Sequence, residues 1–80
     1  MKIYFSGAYS YSLIHTKEID IDCSSDSKIY MLEEKIKTVF PILKNRTLNF
    51  MTISGKSTDK TKSLSDYDIT EYHPVNIFIT

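Results

Sequence analysis

His15, His73 and Cys23 are the side chains best suited to metal binding or nucleophilic chemistry in this chain of 80 residues. Zinc and iron–sulfur sites need several such donors at close spacing. Neither histidine has a carboxylate or cysteine at ligand spacing, and a single cysteine forms no internal disulfide. Both histidines therefore read as ordinary surface residues. Cys23 reads as a small buried hydrophobe, the usual place of a free thiol. Ser54-Gly55-Lys56-Ser57 ends like a phosphate-binding loop but lacks the upstream glycine and the strand-loop-helix setting that give that motif its mechanism, so it reads as a turn. No Ser/His/Asp or Cys/His set falls at a recognised nucleophile spacing. The expectation is a protein with no catalytic residues, no metal and no cofactor, whose work is recognition.

Composition narrows what is recognised. Ten basic and ten acidic residues cancel, and there is no basic run of the kind that tracks a phosphate backbone or an anionic bilayer. The expected partner is a protein, with no nucleic acid and no membrane. The apolar runs are a few residues long, far short of a membrane span, and Met1 to Gly7 holds no signal-peptide core. With one thiol and no export signal, the expected compartment is the cytoplasm. The scarcity of Ala and Gly beside abundant Ile, Lys, Ser and Tyr points to an AT-rich genome, as many viruses and intracellular parasites have.

The elements that must position a binding surface follow from periodicity. Met1, Ile3 and Phe5 alternate with Lys2 and Tyr4, which predicts a strand. Tyr9, Tyr11 and Leu13 then alternate with Ser10 and Ser12, which predicts that the strand continues into a hairpin past a bulge at Gly7. Ile19, Ile21 and Cys23 alternate with Glu18, Asp20 and Asp22 to give the second strand. Ser24-Ser25-Asp26-Ser27 is a cluster of capping residues, and Ile29, Leu32, Ile36 and Val39 or Phe40 recur at helical spacing until Pro41. A third strand is predicted over Thr47 to Ile53, with either Leu48 and Phe50 or Met51 and Ile53 inward. Residues 54–63 are polar loop. Val75, Ile77 and Ile79 form the inner face of a last strand, and Asn76, Phe78 and Thr80 its outer face. The predicted core is Met1, Ile3, Phe5, Ile19, Ile21, Ile29, Leu32, Ile36, Val75, Ile77 and Ile79.

Leu64-Ser65-Asp66-Tyr67-Asp68-Ile69 resembles the Leu-Ser-Asp-Tyr-Asn-Ile segment that precedes the last strand in the ubiquitin family. Ile19 to Ile36 is similar without gaps to that family's second strand and helix, and Ser54 to Thr80 to its last third. The resemblance implies an α+β fold, a ubiquitin-like β-grasp whose mixed four- to five-stranded sheet wraps one α-helix, with residues 1–80 as a single domain. The chain departs from the family by ending at Thr80 without a Gly-Gly tail, which argues against conjugation. The family's Leu-Ile-Val surface patch is also changed. In the gap-free register its isoleucine becomes Thr52, its valine becomes Phe78, and the hairpin tip that supplies its leucine is rebuilt around Tyr9 and Tyr11.

The function expected from these features is a non-enzymatic, monomeric interaction module, a ubiquitin mimic or excised domain, that docks onto another protein by its open sheet face. The resemblance places Phe50 and Thr52 outward beside Phe78 and Asn76, with Tyr9 and Tyr11 at one edge, and aromatic groups of this kind anchor protein interfaces. The competing reading has Phe50 in the core. A modifier cut from a longer precursor, or a small hydrolase or nucleotide-binding protein on the same frame, are the alternatives.

Overall fold

Alternation of Ile3 and Phe5 with Lys2 and Tyr4 does produce a strand, and the computed structural model, which describes residues 1–80, places it at the centre of a mixed sheet. The elements run β1 (Lys2–Phe5), α1 (Ala8–Ile14), β2 (Glu18–Asp20), α2 (Ile29–Val39), β3 (Leu48–Met51) and β4 (Asn76–Ile79), with 3-10 turns at Pro41–Leu43 and Ser65–Tyr67. The sheet order is β2-β1-β4-β3. β1 runs antiparallel to β2 and parallel to β4, and β3 runs antiparallel to β4. The architecture is therefore α+β, a four-stranded mixed sheet with two helices.

The first hairpin is the clearest correction. Residues 8–14 are not a strand prolonged past a bulge but the helix α1. Gly7 sits at φ 91°, where a residue with a Cβ is strained, and there the chain leaves the sheet. Ser10 and Ile14, four residues apart, turn to the same side and are both buried. The Ser10 hydroxyl donates to the Ser6 carbonyl at 2.8 Å, and His15, in the left-handed region, closes the helix by donating its N–H to the Tyr11 carbonyl at 2.7 Å. β2 is also shorter than expected. Asp22 and Cys23 lie beyond it, although Ile21 stays buried and bonds to the Met1 carbonyl.

α2 begins at Ile29, two residues after the serine cluster, because Ser24 and Ser27 close a turn on each other instead of capping the helix. The free N–H groups of its first turn are taken from elsewhere: Ile29 donates to the Lys62 carbonyl and Tyr30 to the Lys60 carbonyl. The helix ends at Phe40, before Pro41, as the proline requires. Its apolar stripe of Ile29, Leu32 and Ile36 lies in the core cluster with the inner sheet residues Ile3, Phe5, Leu48, Phe50, Ile77 and Ile79. Glu33, at the edge of this stripe, receives Lys60 at 2.8 Å, Lys37 at 3.8 Å and the Leu48 N–H at 3.4 Å. That one carboxylate ties α2 to the 58–62 loop and to the outer edge of β3, where Thr58 also donates to the Phe50 carbonyl.

Nine of the eleven expected core residues are buried, while Met1 and Ile19 pack on the core from its margin. Ile14, Leu43, Leu48, Phe50, Leu64 and Ile69 complete it. Phe50 is only 2% exposed, so the register with Leu48 and Phe50 inward holds, and the outward placement of Phe50 is overturned. Thr52 is likewise turned in. Its hydroxyl accepts the Lys56 N–H at 3.0 Å and meets the Ser54 hydroxyl at 2.9 Å, so it serves the 52–56 turn. No helix is long and apolar enough to cross a membrane.

Candidate functional site

α2 packs on one face of the sheet, and on the other Lys2, Glu18, Asp20, Asn49 and Phe78 are exposed. Strand pairing decides which side chains share this outer face. Tyr4 stands beside Asn76, Asn76 opposite Met51, and Asn49 opposite Phe78, while Glu18 lies across from Tyr4 on the β2 side. Side chains at paired positions lie on the same face. Asn76 thus stands between Tyr4 and Met51, and Phe78, two residues along β4 on the same face, stands beside Asn49. Phe78 is 40% exposed, Tyr4, Asn76 and Met51 are half-buried, and Asn49 donates its side-chain amide to the Phe78 carbonyl at 3.3 Å.

Charge is confined to the β2 end of this face and is paired within the molecule. Lys2 faces Glu18 at 3.8 Å, and the Met1 ammonium meets the Asp20 carboxylate at 2.8 Å. The hydrogen bond to Asp20 holds the ammonium above its ordinary pKa, and the same bond holds the Asp20 carboxyl below the usual carboxylate range. The centre of the face is therefore neutral.

Of the expected site residues, the structure brings Phe78 and Asn76 together on the outer face and sends Phe50 and Thr52 inward. Tyr9 and Tyr11 are exposed, but helical geometry separates residues two apart by about 200° and so parts them. Tyr9 faces Arg46, and Tyr11 faces His15 and Lys17. Neither is positioned by a hairpin beside Phe78. Tyr4, Met51 and Asn49, outward by alternation but not expected as site residues, take their place. Alternation alone put Tyr4 outward in β1, but only the parallel pairing of β1 with β4 sets it next to Asn76.

The residues capable of chemistry are scattered. His15 packs its ring edge-on to Tyr11 at 6.1 Å, and His73 lines an open hollow of about 380 Å³ with Lys56, Asp68 and Tyr67. Burial pushes the half-buried Cys23 thiol above its ordinary pKa, which lowers its reactivity. No three His, Cys, Asp or Glu side chains gather where they could hold a metal ion. No protein-family model matches this chain, and no curated protein matches it.

Proposed function

We propose that the chain is a non-enzymatic interaction module of ubiquitin-like, β-grasp type, which docks onto another protein through its outer sheet face. The observation that carries this reading is the outer face itself, with exposed Phe78 beside Asn49 and half-buried Tyr4 and Met51 on either side of Asn76. A neutral face on which apolar side chains alternate with the amides of Asn49 and Asn76 suits a partner that offers an aliphatic or aromatic side chain together with backbone groups for those amides. The β-grasp part of the reading is supported by the sheet order β2-β1-β4-β3 with α2 on one face, and by the Leu64 to Ile69 segment, which forms a 3-10 turn closed by Asp68 in the left-handed region. The helix α1 is an addition to the single-helix pattern.

Size makes the binding transient. Four strands about 4.8 Å apart and four residues of about 3.3 Å rise give a face of roughly 250 Å². That is about a third of the roughly 800 Å² each partner contributes to a standard interface. The same arithmetic leaves two copies too little area for a stable dimer through this face, so the module acts as a monomer. A photo-crosslinking residue placed at position 78 should trap the partner, and one placed at Met31, on the far side of α2, should not. Equal trapping from both positions, or trapping from Met31 alone, would remove the outer face as the docking site.

A further inference from the structure

The net charge of zero is unevenly divided over the molecule. All ten acidic residues lie outside residues 3–17 and 35–58. These two stretches meet at one end of the fold. The Phe5 and Phe40 rings stand edge to face at 5.9 Å, and the Arg46 guanidinium lies 5.7 Å from the centre of the Tyr9 ring and donates to its hydroxyl. Lys17, Lys44 and Arg46 supply the charge here, and none of them is in an ion pair. Glu18, the neighbour of Lys17, is turned to the outer sheet face toward Lys2.

Apolar surface accompanies this charge. Between α1 and β1 lies an open groove of about 590 Å³, lined by Phe5, Gly7, Ala8, Tyr11 and Lys17. It is open because positions 7 and 8 carry at most a methyl group. The Lys17 ammonium stands at its mouth, 5.8 Å from the centre of the Tyr11 ring. Val39 and Ile42, on either side of Phe40 and Pro41, add further exposed apolar area, at 55% and 58% exposure.

We propose that this end is a second binding surface, which takes an acidic peptide segment of another protein. An apolar side chain of the segment fills the groove, and an adjacent Asp or Glu pairs with Lys17, the one charged residue that lines it. Charge complementarity selects the occupant, since the groove is lined by an unpaired cation and no acidic side chain. Shape selects among anions. A bilayer has no single side chain with which to fill a groove, and a nucleic-acid backbone is tracked by a continuous run of cations, whereas here one cation, Lys17, borders an apolar hollow. The surface is separate from the outer sheet face and independent of what docks there.

Selection from a displayed library of random peptides, followed by anisotropy titration of the enriched peptide, tests this. Acidic peptides with one or two large apolar residues should be enriched. Lys17→Glu and Ala8→Glu, the second placing a carboxylate in the groove at a first helical turn that tolerates it, should each weaken binding about tenfold or more, as should raising salt from about 0.05 to 0.5 M. Lys62→Glu, which changes the net charge equally, and Phe78→Ala should leave binding unchanged. Enrichment of neutral or basic peptides, no enrichment at all, or unimpaired binding by Lys17→Glu overturns the proposal. So does tighter binding of phosphatidylserine vesicles or single-stranded oligonucleotide than of any peptide.

Discussion

Phe50 and Phe78 are the same residue type on neighbouring strands, one register step apart in orientation, and they set two different experiments. Phe50 is enclosed by the core, so Phe50→Ala should cost about 3–5 kcal/mol of stability through lost burial and the cavity left behind. Phe78→Ala removes a ring that faces water. It should leave the melting temperature nearly unchanged and weaken partner capture by about 1–2 kcal/mol. Thermal melts of the two variants settle the orientation, and a stable Phe50→Ala protein would contradict it. A second prediction at this scale concerns acid. Asp66 accepts both the N–H and the hydroxyl of Ser63 at 2.9 and 3.0 Å, as the reciprocal half of a capping box does, and these bonds hold its carboxyl below the usual carboxylate range. A depressed carboxyl contributes stability that is complete above its unfolded pKa and is lost as pH falls through the folded one. Stability should therefore decline below about pH 4, and Asp66→Asn should decline less steeply there than the parent. Identical acid profiles would show that Asp66 plays no part.

At the scale of elements, α1 shows where the sequence could and could not be read. Tyr9, Tyr11 and Leu13 alternate with serines as a half-buried strand would, yet the residues that decide the matter are Ser10 and Ile14. One buried serine and one buried isoleucine at a spacing of four are too faint a signal against three aromatic or aliphatic residues at a spacing of two. α2, by contrast, was legible because its stripe spans three turns and ends in a proline. The register of β3 was open because apolar residues occupy both faces of Leu48 to Met51, and the tertiary contacts of Leu48 and Phe50 with α2 resolve it. For the binding face, alternation in β4 was enough to find Phe78 and Asn76, while the neighbours contributed by β1 and β3 depend on pairings between distant segments. Helices of seven residues are marginal alone, so α1 persists by packing. Ile14→Ala should therefore release α1 while the sheet survives, seen as loss of sequential amide contacts over residues 8–14 with those of β1 and β4 intact. Uniform weakening of all elements would instead make α1 integral to the core. Glu33 offers a contrasting case, since its carboxylate joins three elements. Glu33→Ala strands the partly buried Lys60 and the Leu48 N–H, and should cost about 1–3 kcal/mol. An unchanged denaturation midpoint would show that solvent replaces these bonds without loss.

For the molecule as a whole, the decisive feature is that the first and last strands are neighbours. β1 and β4 pair in parallel at the centre of the sheet, with Tyr4 bonding to the Val75 carbonyl at 3.2 Å and Ser6 to the Ile77 carbonyl at 2.8 Å. No segment from one end of the chain can complete this pair by itself, because the two strands are separated by almost the full length of the sequence. α2 lies between them in the chain and packs over both. Folding must therefore close the longest loop before the central pairing forms, and once formed the pairing is lost only when everything is lost. Two consequences can be measured. Unfolding should be two-state, with far-ultraviolet circular dichroism and tyrosine fluorescence giving one midpoint. Amide exchange should be graded across the sheet, with Tyr4 and Ser6 exchanging only through global unfolding and the short edge strand β2 exchanging through local opening at lower free energy. Leu32→Ala and Ile77→Ala, one in the helix and one in the central strand, both remove fully buried side chains. Each should cost about 2–5 kcal/mol. Out of a total of about 5–15 kcal/mol, either loss should accelerate exchange at Tyr4 and Ser6 by the same factor that it lowers global stability. If Leu32→Ala accelerated exchange in α2 while leaving Tyr4 and Ser6 untouched, helix and sheet would be separate cooperative units and the long-range closure would not govern the fold.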